Sequence, residues 1–412
     1  MHTSLEYRDL REKLSRLNND TSHFNNSNDV CTPMECVEEM VDTIPDELWE
    51  RDKIEIFDPC AGNGNFPAYI LQKIQHDFFL TINEISDIRK EYLGEFFIED
   101  EKLEITQNDF LEDIFDKKYD LVIANPPYAL FSNNKRAAKN HGVSKTFIKN
   151  GLDILKEDGY LVFIVPDNWM SRSDRNDVAN RLSFYQFIYL NIHGAKQYFP
   201  RIGSSFTWFV LKKSENINSF IVDNNYKCKE ISKTYLDKNI YSIPLFYNET
   251  VRSILNKTIY GSYDKIKIET SSDLHKYTKR ELLSNIQDDK HPYELVHTPT
   301  QRVFSERPHK FQKGWKVFIS LTSYYSTFIE KDVGATQSIG FIRVNNKHKA
   351  LLLKYILDHP LYVFINNIHR YGNFNNIRIL QDFPYPNDSN NIWESFDITK
   401  EEQKFIHYFL RS

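Results

Sequence analysis

The segment DLVIANPPYALF, residues 120–131, writes an unbroken apolar strand and then stops it with Asn125, Pro126, Pro127 and Tyr128. Prolines end strands because they lack the N–H that a ladder needs. That role leaves the flanking asparagine and the aromatic unexplained. A stiff turn carrying an amide and a ring, held at the carboxyl edge of a parallel sheet, reads as a catalytic loop whose geometry is set before a substrate arrives.

A second group of residues describes a nucleotide-sized pocket. IEIFDPCAGNGNFPAYILQKI places a strand before Asp58, Pro59, Cys60 and Ala61, glycines at Gly62 and Gly64, and a helix after them. Glycines let a backbone turn sharply at the first strand-to-helix edge, where doubly wound folds bind ligands. Neither a Walker loop nor a G-x-G-x-x-G fingerprint is present, and an aspartate at the strand end repels a pyrophosphate, so a cationic ligand suits the turn better. The next strand ends at Glu84, beside Ile85, where a carboxylate can accept from ribose hydroxyls. The third offers Asp109 to an adenine amino group and Phe110 to the face of its ring. Upstream, Thr32, Pro33 and Glu35 spell a capping box, and the helix end they would start is also a place for a ligand's carboxylate.

These residues need elements to hold them. Short β-rich runs near 54–57, 78–83, 103–106, 119–124, 160–165, 187–192 and 206–212 alternate with helical patterns at 65–75 and 145–156, the signature of a parallel sheet covered by helices. In the second helix Phe147, Ile148, Leu152 and Leu155 share a face, and Gly159 is expected to end it. After residue 213 the alternation is lost and a second domain begins, with helices expected at 349–358 and in EEQKFIHYFL. The expected organisation is an N-terminal helical extension, 1–30, a catalytic domain, 31–213, and an α+β domain, 214–412.

At 412 residues the chain can bury a substantial core without disulfides. Its apolar runs, such as YLVFIVP, are far shorter than the roughly 18 to 20 residues that span a bilayer, and MHTSLEYRDLREKLSRL lacks an apolar signal core. Cys31, Cys36, Cys60 and Cys228 form no C-x-x-C pair. These features point to a cytoplasmic protein with no membrane contact. Charge is sorted between halves: residues 1–210 hold 23 Lys and Arg against 35 Asp and Glu, and residues 211–412 hold 29 against 22. A basic second half suits a polyanion. Within 301–350, Arg302, Arg307, Lys310, Lys313 and Lys316 are interleaved with aromatic residues, as phosphate-tracking cations are in a nucleic-acid groove, although several of those rings must be core.

In order, CTP, DPCAGNGNF, NE, ND-F, NPPY and a large C-terminal region resemble the DNA adenine-N6 amino-methyltransferases of the gamma group, over about residues 31–213. The resemblance implies a Rossmann-like seven-stranded α/β domain that binds S-adenosyl-L-methionine, followed by a target-recognition domain on double-stranded DNA. It implies that the Asn125 side-chain oxygen and the Pro126 carbonyl accept hydrogen bonds from the adenine amine, so that nitrogen can rehybridise and attack a sulfonium methyl in line. Tyr128 would stack on the flipped base, and Phe199 would cover its other face, with Phe206 read as core. Thr32, Pro33, Asp58, Pro59, Cys60, Ala61, Gly62, Gly64, Glu84, Ile85, Asp109, Phe110 and Asn125 would line the cofactor, Cys60 as a small filler. No metal is required. With about 30 residues before Cys31, any cognate restriction endonuclease is expected on a separate chain, and the protein is expected to act as a monomer. Asn-Pro-Pro-Tyr also serves RNA bases and protein glutamine amides, and an inactive DNA-binding relative would keep the same fold.

Overall fold

The computed structural model describes residues 2–20, 30–127, 131–132, 135–136, 142–174, 176–200, 203, 205–372 and 374–412. The chain forms two compact units, residues 1–242 and 243–412.

The first unit is built on β1 (Lys53–Asp58), β2 (Asp77–Asn83), β3 (Leu103–Thr106), β4 (Tyr119–Ala124), β5 (Leu155–Pro166), β6 (Tyr185–Ile192), β7 (Phe206–Glu215), β8 (Phe220–Asn224) and β9 (Glu230–Thr234). They lie side by side in the order β9-β8-β6-β7-β5-β4-β1-β2-β3. β1 to β5 run parallel, and β7 is antiparallel between β5 and β6. β4 is buried at every position, as a central strand covered on both faces must be.

Register aligns the strand ends. Asp58 pairs with Ile82, and Phe57 pairs with Val122, so Glu84 and Asn125 each lie two residues past the row that holds Asp58. Three loops therefore leave one carboxyl edge at nearly the same height, where doubly wound sheets bind ligands.

Helices α1 (Tyr7–Asn19), α2 (Met34–Asp42) and α4 (Asn65–Lys73) cover one face; α3 (Asp46–Trp49) is a single turn. Leu10, Leu14, Met34, Val37, Phe66, Ala68 and Ile70 join Ile56, Leu121, Ile123 and Val162 in one core. The amino-terminal helix thus shares the core of the first unit. Beyond α5 (Asp87–Phe96), α6 (Val143–Asp153) buries Phe147, Ile148 and Leu152.

Two boundaries differ from the sequence reading. α6 ends at Asp153, and β5 begins at Leu155, where Tyr119 pairs with Leu155 but Leu121 pairs with Tyr160. The left-handed residue in that irregularity is Asp158, φ 60°, and Gly159 continues the strand. The first unit also extends past residue 213, because β8 and β9 widen the sheet: β8 pairs parallel with β6, and its alternation of buried Phe220, Val222 and Asn224 matches a covered strand.

The second unit carries a sheet ordered Leu283–Ser284, Gln301–Ser305, Tyr293–Thr298 and Gly334–Ala335, and another ordered Thr327–Lys331, Trp315–Ser320 and Ile339–Val344. Val296, Phe318, Ala335, Ile339 and Phe341 form its small β core. Helices Lys347–Leu357, Pro360–Ile368 and Lys400–Arg411 follow, the last opened by a capping box of Thr399 and Glu402.

Candidate active site

Asp58 closes β1 fully buried. Its Oδ1 accepts from the Cys60 N–H at 3.1 Å, while Oδ2 has no partner among the described residues. Burial pushes this carboxyl well above the usual range, against the pull of the Cys60 N–H and helped by the Glu84 carboxylate. A buried carboxylate oxygen without a donor is costly unless a ligand supplies one. Asn63 Oδ1 and Asn65 Oδ1, on the same turn, are likewise buried and unpartnered among the described residues.

Glycine geometry sets the turn. Gly62 and Gly64 have φ of +60° and +94°, and a Cβ at Gly64 would stand 2.5 Å from the Phe97 ring. Glu84 holds the turn: Oε2 accepts from Gly62 N–H at 2.8 Å and Oε1 from Ser86 N–H at 2.9 Å. Each carboxylate oxygen can accept a second bond, so Glu84 remains suited to hydroxyl donors. Beside it Ile85 is 59% exposed, an apolar surface at the mouth of the strand ends.

Asn83 is a residue the sequence reading passed over. Its Nδ2 donates to the Pro59 and Asn108 carbonyls, both at 3.0 Å, and its Oδ1 accepts from Thr106 Oγ1 and Asn108 N–H, both at 2.8 Å. One buried amide ties together the loops after β1, β2 and β3. Its signal was an asparagine ending a strand buried along most of its length, where an apolar residue would otherwise stand.

Asp109 accepts from Leu111 N–H at 2.9 Å, stapling its own turn. Phe110 departs from expectation. Its ring is buried among Phe57 (5.7 Å between centroids), Phe115 (5.2 Å) and Phe147 (5.2 Å), so it is core beneath the site and presents no face to an adenine.

At the end of β4 the Asn125 Nδ2 donates to the Val30 carbonyl at 3.1 Å and the Thr32 hydroxyl at 3.0 Å. A backbone carbonyl can only accept, so the nitrogen edge must face residues 30–32 and Oδ1 takes the opposite edge. Cys60 Sγ approaches the Asn125 carbonyl at 3.5 Å, so Cys60 links the glycine turn to the Asn-Pro-Pro turn and is not merely a filler. Pro126 is buried and Pro127 exposed. Tyr128 lies outside the described residues.

The expected capping box at α2 does not form. The helix starts at Met34 with Pro33 in the cap position and no side-chain cap bond, because Thr32 lies one residue too early. The Glu35 carboxylate instead accepts from Arg11 at 2.9 Å. Thr32 is 4% exposed, its carbonyl accepting from Asn65 Nδ2 at 2.5 Å. Phe199 also departs from expectation: it is 2% exposed and packs on Phe206 at 5.2 Å, so both rings belong to the core and Phe199 offers no open face.

In the second unit the basic candidates divide. Lys316 is 1% exposed, and its Nζ donates to the carbonyls of Gln312, Lys313 and Gly314 at 3.1, 3.2 and 3.3 Å; it holds a turn and cannot meet a phosphate. Burial lowers its pKa to about 8. Arg302 is tied to Glu294 at 3.1 Å and Glu330 at 3.0 Å, bracing neighbouring strands. Arg307, half-exposed, pairs with Asp273 at 2.8 Å. Lys310 and Lys313 are exposed, Lys310 over the Phe311 ring. No cluster able to hold a metal ion occurs among the described residues, and no described helix is long and apolar enough to cross a membrane.

Comparison with known proteins agrees with the family read from the motifs. Residues 68–199 match the Eco57I restriction-modification methylase family. No curated protein matches the chain by sequence. Among solved structures, the DrdV–DNA complex superposes with a TM-score of 0.57 at 11% identity, over 99% of this chain and 60% of that one. The ATP-dependent type ISP restriction-modification enzyme LlaBIII bound to DNA gives 0.52 at 12% identity, over 98% of this chain and 40% of that one. A class I S-adenosylmethionine-dependent methyltransferase from Listeria monocytogenes gives 0.42 at 16% identity, over 53% and 73%. This chain spans only about 60% and 40% of the two DNA-bound proteins it matches. The first unit, which holds the residues that match the methylase family, is a mixed α/β fold on one large central sheet.

Proposed function

We propose that this chain is a restriction-modification DNA methyltransferase that transfers a methyl group from S-adenosylmethionine to the N6 amine of an adenine flipped out of duplex DNA. The observation that carries this reading is the Asn125 amide, pinned by both its donors to residues 30–32, which leaves its acceptor edge opposite them at the sheet edge that holds Asp58 and Glu84.

The residues present fit the cofactor. The unpartnered Asp58 Oδ2, with Asn63 Oδ1 and Asn65 Oδ1, would receive N–H or O–H donors of a cationic ligand, and Glu84 would take ribose hydroxyls. Bound there, S-adenosylmethionine supplies an electrophilic methyl on sulfur. The chain's own work is on the acceptor. An adenine N6 lone pair is delocalised into the ring and nucleophilic only when both its N–H bonds are held so that nitrogen can pyramidalise. Asn125 Oδ1 and the Pro126 carbonyl are the acceptors proposed for them, and their pull grows as positive charge develops on nitrogen. Two prolines keep the turn from relaxing, so the geometry is set before the base arrives.

Extruding the base from the stack costs a few kcal/mol. Tyr128 is the proposed stacking partner that offsets part of this. Lys310 and Lys313 are the proposed phosphate contacts, with the second unit reading the target sequence. Monomeric action, with any cognate nuclease on another chain, completes the reading. The test is transfer of labelled methyl to duplex DNA, followed by nucleoside digestion: N6-methyladenine is the expected product, and label in cytosine or in no base overturns the assignment.

A further inference from the structure

Asn125 is held by a residue whose type suggested a different task. Thr32 precedes a helix and would ordinarily bond its first turn, yet α2 begins two residues later without a side-chain cap, and the Thr32 hydroxyl accepts from Asn125 Nδ2 at 3.0 Å instead. Thr32 is buried and braced: Asn65 Nδ2, from the first residue of α4, holds the Thr32 carbonyl at 2.5 Å. Rotation of an asparagine amide about χ2 is soft, with two orientations related by a half turn. The Val30 carbonyl, which can only accept, selects between them, and the Thr32 hydroxyl adds a second bond that holds the selected orientation in place. In the other orientation the NH2 group would face the incoming amine, donor against donor, and the acceptor edge would be turned to the Val30 carbonyl.

We propose that Thr32 is a positioning residue for methyl transfer: its hydroxyl fixes the Asn125 amide so that Oδ1 is presented to the acceptor nitrogen. This rests on the methyltransferase reading. It assigns Thr32 to the acceptor side of the reaction, where the sequence had placed it with the cofactor.

Thr32→Val keeps the branched shape and removes the hydroxyl, and Thr32→Ser keeps the hydroxyl and removes the methyl. Single-turnover transfer at saturating cofactor is expected to fall roughly 10- to 100-fold in the valine variant, the scale of a slightly misplaced reacting group. Cofactor dissociation, measured by equilibrium dialysis with labelled S-adenosylmethionine, is expected to change less than about threefold, and serine is expected to restore the rate. In an Asn125→Ala background, Thr32→Val is expected to add no further loss, since there is no amide left to orient. Three results overturn the proposal: an undiminished rate in Thr32→Val, a defect that disappears at saturating cofactor, or losses that multiply in the double variant. A native protein that transfers no methyl group to DNA overturns the underlying reading instead. Serine, whose hydroxyl can make the same bond, keeps the test open if valine impairs folding.

Discussion

Replacing Asn125 by alanine removes the amide's bonds to residues 30–32 together with its proposed acceptor oxygen, and the structure separates their consequences. The amide nitrogen donates to Val30 O and Thr32 Oγ1 in part-buried bonds, and a typical net hydrogen bond contributes about 1 kcal/mol. The first unit is therefore expected to lose about 1–3 kcal/mol, which for its size lowers the thermal midpoint by roughly 2–10 °C. The acceptor oxygen acts mainly in the transition state, and deleting one such preorganised group costs about 10²- to 10³-fold in rate. The loss should therefore appear in kcat and not in the affinity for DNA or cofactor. Rapid-quench single-turnover transfer from labelled S-adenosylmethionine to duplex DNA, well below the midpoint of the variant, measures the rate with folding held constant. Asn125→Asp keeps an oxygen on the acceptor edge but sets another against the Val30 carbonyl, so it should lose less rate than alanine and more stability. A folded Asn125→Ala protein within threefold of the native rate would refute the proposed role of the amide.

Asp58→Asn replaces a carboxyl whose pKa burial raises and supplies an N–H edge in its place; the ligand-free midpoint should not fall, while calorimetry should show cofactor binding weakened at least about tenfold. In the native protein a cationic ligand favours the ionised carboxylate, so its affinity should rise with pH through the raised Asp58 pKa, with proton release on binding. Lys310→Ala and Lys313→Ala should each flatten the salt dependence of DNA binding by about one phosphate contact, whereas Lys316→Met should lower the midpoint of the second unit and leave that slope unchanged. His309 and His369 are buried, and burial lowers each to about 4. As pH falls from about 6.5 to 4 the unfolded chain takes up protons that the folded one refuses, so the second unit should lose roughly 2–3 kcal/mol per histidine, seen in denaturant melts across that window.

The first unit was legible where chemistry and periodicity agree. Leu103–Thr106 and Tyr119–Ala124 fall where their apolar runs placed them, and the turn at 58–64 sits between a strand and a helix as its glycines require. Sequence was less informative where one residue type serves two purposes. Phe110 and Phe199 were assigned to a ligand because aromatics flank such pockets, yet a large apolar ring beside a sheet gains more by joining the core. Thr32 read as a helix cap because its spacing to Glu35 allows one; only the fold reveals that Asn125, distant in the chain, is its partner. Lys316 lies on the buried strand Trp315–Ser320 whereas Lys313 lies in the exposed turn before it, a boundary no composition count resolves. The late boundary at 242 was hidden because β8 and β9 are short strands with little buried apolar surface, Ile221 and Ile231 standing exposed, and they follow no helical pattern.

The way α1 is seated has a practical corollary. Leu10 and Leu14 are sealed beneath the sheet, and Asn18, in the last turn of α1, accepts from Asn63 Nδ2 of the glycine turn at 2.9 Å while Cys31 Sγ receives the same amide at 3.2 Å. An expression boundary drawn at residue 31, where the recognisable motifs begin, would unroof apolar surface and unbutton the cofactor turn together. Anyone trimming this chain to a minimal enzyme should keep its first twenty residues.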